Sequence, residues 1–420
     1  MRKRWFILHQ LDSIIVGAGI SGLACARELR SRGWKVLVLE ARNRIGGRIH
    51  TRRNAHIPSE FGAELAHGKN ISTSTLLRRA GVRLTPGVNR AAYISAERIH
   101  LPGSEFAVQV ENLLGELSKH FGRDSTLAET LENLFSHYDL EVRAAASRAF
   151  LALEGGSAHE LSLKGLAWKG EANSLMPTNL FIPCGYDFLL NHLNAELEVL
   201  LEQEVVSIDW SKDRIDICTK SGRQFCAKTV VITIPVAVLR HAILNFIPVL
   251  PSKKLAAINA IPTNQINKII LRFKRRVWPE VDFIESDGAF GVWWQRPKEF
   301  GDAVLVGFGS QPNLVEQGAA DQSQAISLAL SELSAVFGAD MHSEFLQGNY
   351  IDWTNDPFSR GGYSYSVVGI GEARRDLAAP LASKLFFAGE ASCFDGDYAT
   401  VHGAYETGLR AAQEVLSALR

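Results

Sequence analysis

One stretch restricts what this chain can fold into more than any other. An apolar run, Ser13-Ile14-Ile15-Val16, ends in Gly17-Ala18-Gly19-Ile20-Ser21-Gly22 and passes into the helical pattern Leu23 to Leu29. A second apolar run, Val36 to Leu39, ends in Glu40. Strand, tight turn, helix, strand and acid in this order form a βαβ nucleotide-binding fingerprint. Gly17 permits the turn, Gly19 lets backbone approach a pyrophosphate, and Gly22 lets helix and strand pack closely. The helix N-terminus offers free N–H groups and a positive dipole end. Glu40 stands where a carboxylate accepts ribose hydroxyls.

The segment behind it extends the theme. In Arg42-Asn43-Arg44-Ile45-Gly46-Gly47-Arg48, adjacent glycines flanked by arginines suit a backbone folded against phosphates, with Arg48 or Arg42 supplying charge. Glu60 to Gly68 is a small-residue segment able to run close under a flat cofactor.

At 420 residues, length favours two domains. Lys+Arg and Asp+Glu are both 45, so nothing points to nucleic acid or a bulk electrostatic hold on membranes. Five cysteines, Cys25, Cys184, Cys218, Cys226 and Cys393, are scattered without CxxC or Cys/His metal spacing. No metal site is expected, and reduced thiols in a cytoplasmic protein are. Met1 to Arg4 followed by Trp5 to Leu8 resembles a signal start, but the apolar run is too short. No run reaches transmembrane length.

From about Ser72 to Leu166 the periodicity is helical, with expected helices at Val110 to Phe121, Leu127 to Phe135 and Val142 to Leu153. Strand patterns return at Glu204 to Trp210, Arg214 to Thr219 and Phe225 to Ile234. Further strands are expected at Ile269 to Phe273, Gly291 to Trp294 and Val304 to Phe308, then a helix from Ser323 to Phe337. Leu385 to Glu390 reads as a strand ending in Gly-Glu, and Thr400-Val401-His402-Gly403-Ala404 opens a last helix. The expected architecture is α/β with two interleaved domains.

These motifs, together with Gly62-Ala63-Glu64, His67-Gly68, Lys268 and the stretch Trp353 to Tyr363, occur in the order seen in the flavin-containing amine oxidases. The chain resembles that family over nearly its whole length, closest in motif to polyamine oxidases. The resemblance implies a Rossmann-like FAD-binding domain (1–70, 180–245 and 348–420) interleaved with a mixed sheet-plus-helices substrate domain (71–179 and 246–347). It implies FAD rather than NAD, a small-molecule amine and O2 as partners, hydride transfer from the amine α-carbon to flavin N5, imine hydrolysis and release of hydrogen peroxide. It places Gly17, Gly19, Ser21, Gly22, Glu40, Arg42, Gly46, Gly47 and Arg48 along the nucleotide, and Glu64 and Leu65 beside the isoalloxazine. Val205 falls at the adenine and Trp353 in the flavin-side stretch. Gly389 and Glu390 fall at the ribityl and phosphate region, Thr400 and Val401 at the pyrimidine end. Where monoamine oxidases carry a flavin-linked cysteine this chain has Gly362, so FAD is expected to be non-covalent.

Three catalytic candidates follow. The strand pattern leaves Lys268 as either an edge residue or a functional one; the resemblance places it on the N5 side, reaching N5 through a water. Tyr363 is a loop anchor by composition and a wall of the substrate slot by resemblance, with Thr400 at the second tyrosine position of monoamine oxidases. His67 is structural by composition; beside the flavin path it would bind a distal amine or tune local charge. Glu154, in Leu153-Glu154-Gly155-Gly156, reads as a solvated helix-end acid, with cation binding as the alternative. Competing activities are an L-amino-acid oxidase, for which no carboxylate-pairing arginine stands in Gly62 to Gly68, a flavin desaturase or protoporphyrinogen-type oxidase, and a catalytically idle flavoprotein scaffold.

Overall fold

The computed structural model describes residues 11–53, 58–87, 90–167, 179–241, 244–338 and 340–419. The N-terminal Met1 to Leu8 motif lies outside them. Two large sheets organise the chain. In the first, the strands run in the order Val199–Leu200, Val36–Leu39, Leu11–Val16, Gln224–Ile232, Ile215–Thr219, Val205–Asp209 and Asn245–Ile247, with Leu385–Phe387 also pairing with Gln224–Ile232. Leu11–Val16 is parallel to both neighbours and sits inside the sheet, so beyond Asp12 and Ser13 it is a continuous apolar run, Ile14 to Val16. Its C-terminal end delivers Gly17 to the open end of the sheet, where ligands of open α/β sheets bind.

The helix Ile20–Ser31 covers one face of this sheet and packs against the C-terminal helix Val401–Ala418. Glycine sets how closely these elements approach. A Cβ on Gly22 would lie 2.0 Å from the carbonyl oxygen of Gly17. One on Gly408 would lie 2.2 Å from that of Ser21.

The second sheet has the order Phe345–Ile351, Ile266–Phe273, Ala303–Ser310, Phe290–Gln295, Phe283–Glu285, Ala91–Ser95 and Arg98–His100. One face, with Ile269, Leu271 and Trp293, packs on the helix Gln322–Phe337. The other carries Ile270, Val292, Trp294, Val304 and Val306. A helical layer, Glu105–Ser118, Leu127–Leu134 and Leu140–Glu154, covers part of it. A small sheet of Leu65–His67, Asn179–Phe181 and Thr85–Pro86 completes the walls.

Two expectations need correction. The stretch of helical periodicity from about Ser72 to Leu166 also contains the strands Ala91–Ser95 and Arg98–His100. Ala91-Ala92-Tyr93-Ile94 has no local strand alternation, because all of it is buried. It is a strand through parallel pairing with Phe283–Glu285, nearly two hundred residues away. The expected domain boundaries also move. Asn245–Ile247 belongs to the first sheet and the whole of Phe345–Ile351 to the second.

We expect Gly22→Ala to destabilise the fold by about 1–3 kcal/mol, as overpacking a tight contact does. A thermal melt at wild-type midpoint would remove the close approach as a constraint.

Candidate active site

A cavity of about 1050 Å³ runs from the glycine turn, between the two sheets, to the helical layer. Its nucleotide arm is built as the fingerprint requires. Gly17 has φ +108°, a left-handed region glycine enters without strain. Gly19 faces the cavity, and a Cβ there would meet no protein atom within 4 Å; it would occupy cavity space instead. Gly19 caps the helix Ile20–Ser31 without a side-chain hydrogen bond, so the first-turn N–H groups keep their capacity for phosphate. Glu40 is buried at the end of its strand. Its Oε2 accepts from the Ala18 backbone N–H at 2.7 Å and its Oε1 from that of Arg42 at 2.9 Å. A carboxylate has lone pairs left over, and they face the cavity it lines. This arm fits a dinucleotide.

The expected nucleotide residues Gly17, Gly19, Ser21, Glu40, Arg42, Gly46, Gly47, Arg48, Val205, Gly389, Glu390, Thr400 and Val401 all line this one cavity, as do Glu64, Leu65 and Trp353. Gly22 does not; it packs behind the turn. Arg42 is already engaged. Its guanidinium grips Asp356 through two bonds of 2.8 and 2.6 Å and reaches Ser359 Oγ at 3.1 Å. It therefore braces the Asp356 loop as well as edging the cavity. Arg48 donates to the Gly362 carbonyl at 2.8 Å and to Glu390 Oε1 at 2.9 Å. Glu390 accepts further bonds from the Ser364 hydroxyl at 2.6 Å and the Ala399 N–H at 3.0 Å. Arg48 and Arg374 beside it hold its carboxyl below the usual range against the opposing effect of burial. Thr400 caps the last helix, its hydroxyl accepting from Gly403 N–H at 3.0 Å.

Lys268 is not at an edge. Its strand is paired on both sides, and its side chain is 1% exposed. The ammonium donates to Glu64 Oε2 at 2.7 Å and to the Gly62 carbonyl at 3.0 Å, and lies 5.2 Å from the Trp294 ring centroid. Glu64 also accepts from Trp294 Nε1 at 3.2 Å and faces Arg296 Nε at 3.4 Å. Burial pushes the Lys268 ammonium pKa down. Burial acts to raise that of Glu64, but Lys268 and Arg296 outweigh it and keep the carboxyl below its ordinary value. Sequence reasoning placed Glu64 beside the cofactor by its backbone and missed its side chain as counter-ion to Lys268. An acid in Gly62-Ala63-Glu64 and a lysine in an apolar strand are separate signals until the sheet joins them.

Tyr363 lines the cavity, and its hydroxyl donates to the Leu153 carbonyl, which ties it to the helical layer. His67 is exposed at the cavity wall, its Nδ1 2.7 Å from Asn179 Oδ1. Glu154 is buried and lines the cavity, which corrects its reading as a solvated acid. Among the described residues no cysteine lines the cavity, no His/Cys/Asp/Glu cluster could hold a metal, and no helix is long and apolar enough to cross a membrane.

A model of the flavin-containing amine oxidoreductase family matches residues 20–416. The chain belongs to that family and is an FAD-dependent amine oxidoreductase. It is 30% identical to polyamine oxidase 5 of Oryza sativa subsp. japonica, over 96% of this chain and 87% of that protein. It is 26% identical to human lysine-specific histone demethylase 2, over 97% of this chain and 53% of that protein. In fold it is similar to cyclohexylamine oxidase from Brevibacterium oxydans IH-35A, with TM-score 0.84, 23% identity, and coverage of 98% and 99% of the two chains. It is likewise similar to a putrescine oxidase bound to putrescine, with TM-score 0.82, 20% identity, and coverage of 97% and 99%.

Two outcomes test this geometry. Glu40→Gln should weaken FAD retention about ten- to a hundredfold, measured by fluorescence of released flavin, as the loss of charge-assisted bonds predicts. Unchanged affinity would contradict the ribose assignment. Glu64→Gln leaves the Lys268 ammonium without its nearest counter-charge and should cost about 3–5 kcal/mol. The double variant with Lys268→Met should recover much of that loss, because the charges leave together. Additive losses in chemical denaturation would show that the pair is uncoupled.

Proposed function

We propose that this protein oxidises the carbon beside an amine nitrogen in a polyamine or another primary or secondary amine, with O2 as the electron acceptor that regenerates the enzyme. The observation that carries this reading is Lys268, a buried ammonium on the cavity wall beside a nucleotide arm suited to FAD. FAD, when bound, supplies the two-electron acceptor, at flavin N5, for hydride from the amine α-carbon; the resulting imine hydrolyses to carbonyl and free amine. The chain's own residues bind, orient and exclude water. Glu40, Gly19 and the helix start hold the nucleotide, with Arg48 and Glu390 beside it. Lys268, locked by Glu64, keeps a polar hydrogen-bond donor on the cavity wall beside the apolar Phe308 and Val292. Tyr363, held by its hydroxyl, forms one side of the substrate slot. The Thr400-capped helix start turns its N–H groups to where negative charge develops. His67 stands at the cavity wall, in position to meet a second amine.

The L-amino-acid oxidase alternative lacks support. Arg296, which shares Glu64 with Lys268, is also engaged by Asp302 and the Pro58 carbonyl. The curated relatives that span this chain include several polyamine oxidases, which favours an amine without a carboxylate.

A panel of amines, scored by peroxide release, tests the reaction. Peroxide should appear with polyamines, and its absence with every amine would reject the oxidase reading. Acid denaturation should release free FAD, and flavin that stays with the polypeptide would reject non-covalent binding. Lys268→Met should lower turnover by about two orders of magnitude, the size of losing one preorganised polar group at a reacting centre. Stopped-flow measurements divide the loss between flavin reduction and reoxidation, and wild-type rates in both would make Lys268 structural.

A further inference from the structure

The register of the second sheet lays out the substrate arm. Lys268 pairs with Phe308, Phe308 with Val292, Val292 with Glu285, and Glu285 with Tyr93. Residues directly opposite each other point to the same face, and all five line the cavity. They form one row across five strands, with the flavin-side lysine near one end, Glu285 three strands away and Tyr93 four. Neighbouring strands lie ~4.8 Å apart, so the Glu285 backbone is roughly 14 Å from that of Lys268.

Glu285 is 5% exposed, and apart from Arg148 neither carboxylate oxygen has a hydrogen-bond partner. Its nearest cation is Arg148 Nε, at 3.4 Å from Oε1, reaching in from the helix Leu140–Glu154. The Tyr93 hydroxyl beside it is buried and also without a hydrogen bond. Buried polar groups left in this state cost free energy that a suitable ligand recovers. Between Lys268 and this end the row is apolar, Phe308 and Val292. Two more acids, Glu111 and Glu154, line the same arm, whereas the arginines that line the cavity, Arg42 and Arg48, lie in the nucleotide arm. Burial pushes the Glu285 carboxyl well above its ordinary range, a cost that an incoming cation offsets.

We propose that Glu285, with Tyr93, is a distal ammonium subsite, and that the Lys268–Glu285 row acts as a ruler selecting long-chain amines with a second cationic nitrogen. The inference rests on the amine-oxidase reading, which puts the reacting end beside Lys268. An extended chain advances ~1.2 Å per bond, so a second ammonium roughly ten bonds from the first reaches the Glu285 carboxylate. A putrescine-length diamine falls short.

The test is a ladder of α,ω-diaminoalkanes of increasing length against monoamines of the same length, on the FAD-loaded enzyme. In the wild type, KM for diamines should fall about ten- to a hundredfold relative to the matched monoamine once the chain reaches that length. In Glu285→Gln the monoamine-to-diamine KM ratio should collapse toward one. A structural role for Glu285 moves both amines together and leaves the ratio intact, which would overturn the proposal. If the variant does not retain FAD, the wild-type ladder decides: a ratio independent of chain length overturns the subsite. Anaerobic calorimetry of the same ladder on enzyme already reduced with dithionite reads binding without oxidation of the amine. Peroxide from amines with a flat binding ladder would sink the subsite and keep the oxidase reading. Tight, length-dependent binding without peroxide would do the reverse.

Discussion

The substrate side of this structure depends on a charge that an apolar sheet would otherwise reject. Lys268 is enclosed on a strand paired on both sides. An isolated ammonium there costs several kcal/mol even after relaxation. Glu64 removes most of that cost, and Glu64 comes from a different part of the chain, next to the short strand Leu65–His67. The pair therefore pins the segment behind the nucleotide loops to the strand Ile266–Phe273 of the second sheet. Trp294 and Arg296, on and just after the strand Phe290–Gln295 two places away, close the cluster around the same carboxylate. A fixed polar point thus stands beside Ile266, Val292 and Phe308 on the cavity wall.

The nucleotide arm solves a different problem, that of bringing backbone close to a polyanion without a clash. The turn at Gly17 and the space in front of Gly19 give this room, and the helix start supplies donors. Around it the protein binds its own charges to each other: Arg42 to Asp356, Arg48 to Glu390, Arg374 to the Ser364 hydroxyl that also meets Glu390. The first two of these contacts join residues more than three hundred positions apart, and together they hold the 353–365 stretch against the first sheet. Electrostatic preorganisation of this kind acts without reorganisation at the moment of reaction.

The two arms differ in their polar groups. Helix N–H groups, with Arg42 and Arg48 each paired to an acid, edge the nucleotide end, while Glu111, Glu154 and Glu285, the last beside Arg148, lie in the substrate arm. Such an arrangement suits an anionic cofactor and a cationic substrate meeting in one continuous space, each at the end whose potential matches it.

Local patterns were enough for the βαβ fingerprint and the principal strands and helices. Gly17, Gly19, Gly22 and Glu40 work through backbone geometry within a single unit of about thirty residues, so spacing along the chain encodes their arrangement. The strand Ala91–Ser95 was illegible because its pairing partner lies far along the chain and its buried residues show no alternation. Glu154 looked like a solvated helix end because only the sheet packed over it makes it a cavity wall. The same holds for the partner of Lys268 and for the row that ends at Glu285 and Tyr93. Sequence by itself determined the chemistry available, an FAD fold with a lysine, a tyrosine and a set of acids. Tertiary structure alone decided which acid neutralises the lysine and which faces the cavity, because cross-strand register, not sequence separation, sets the distance between charges.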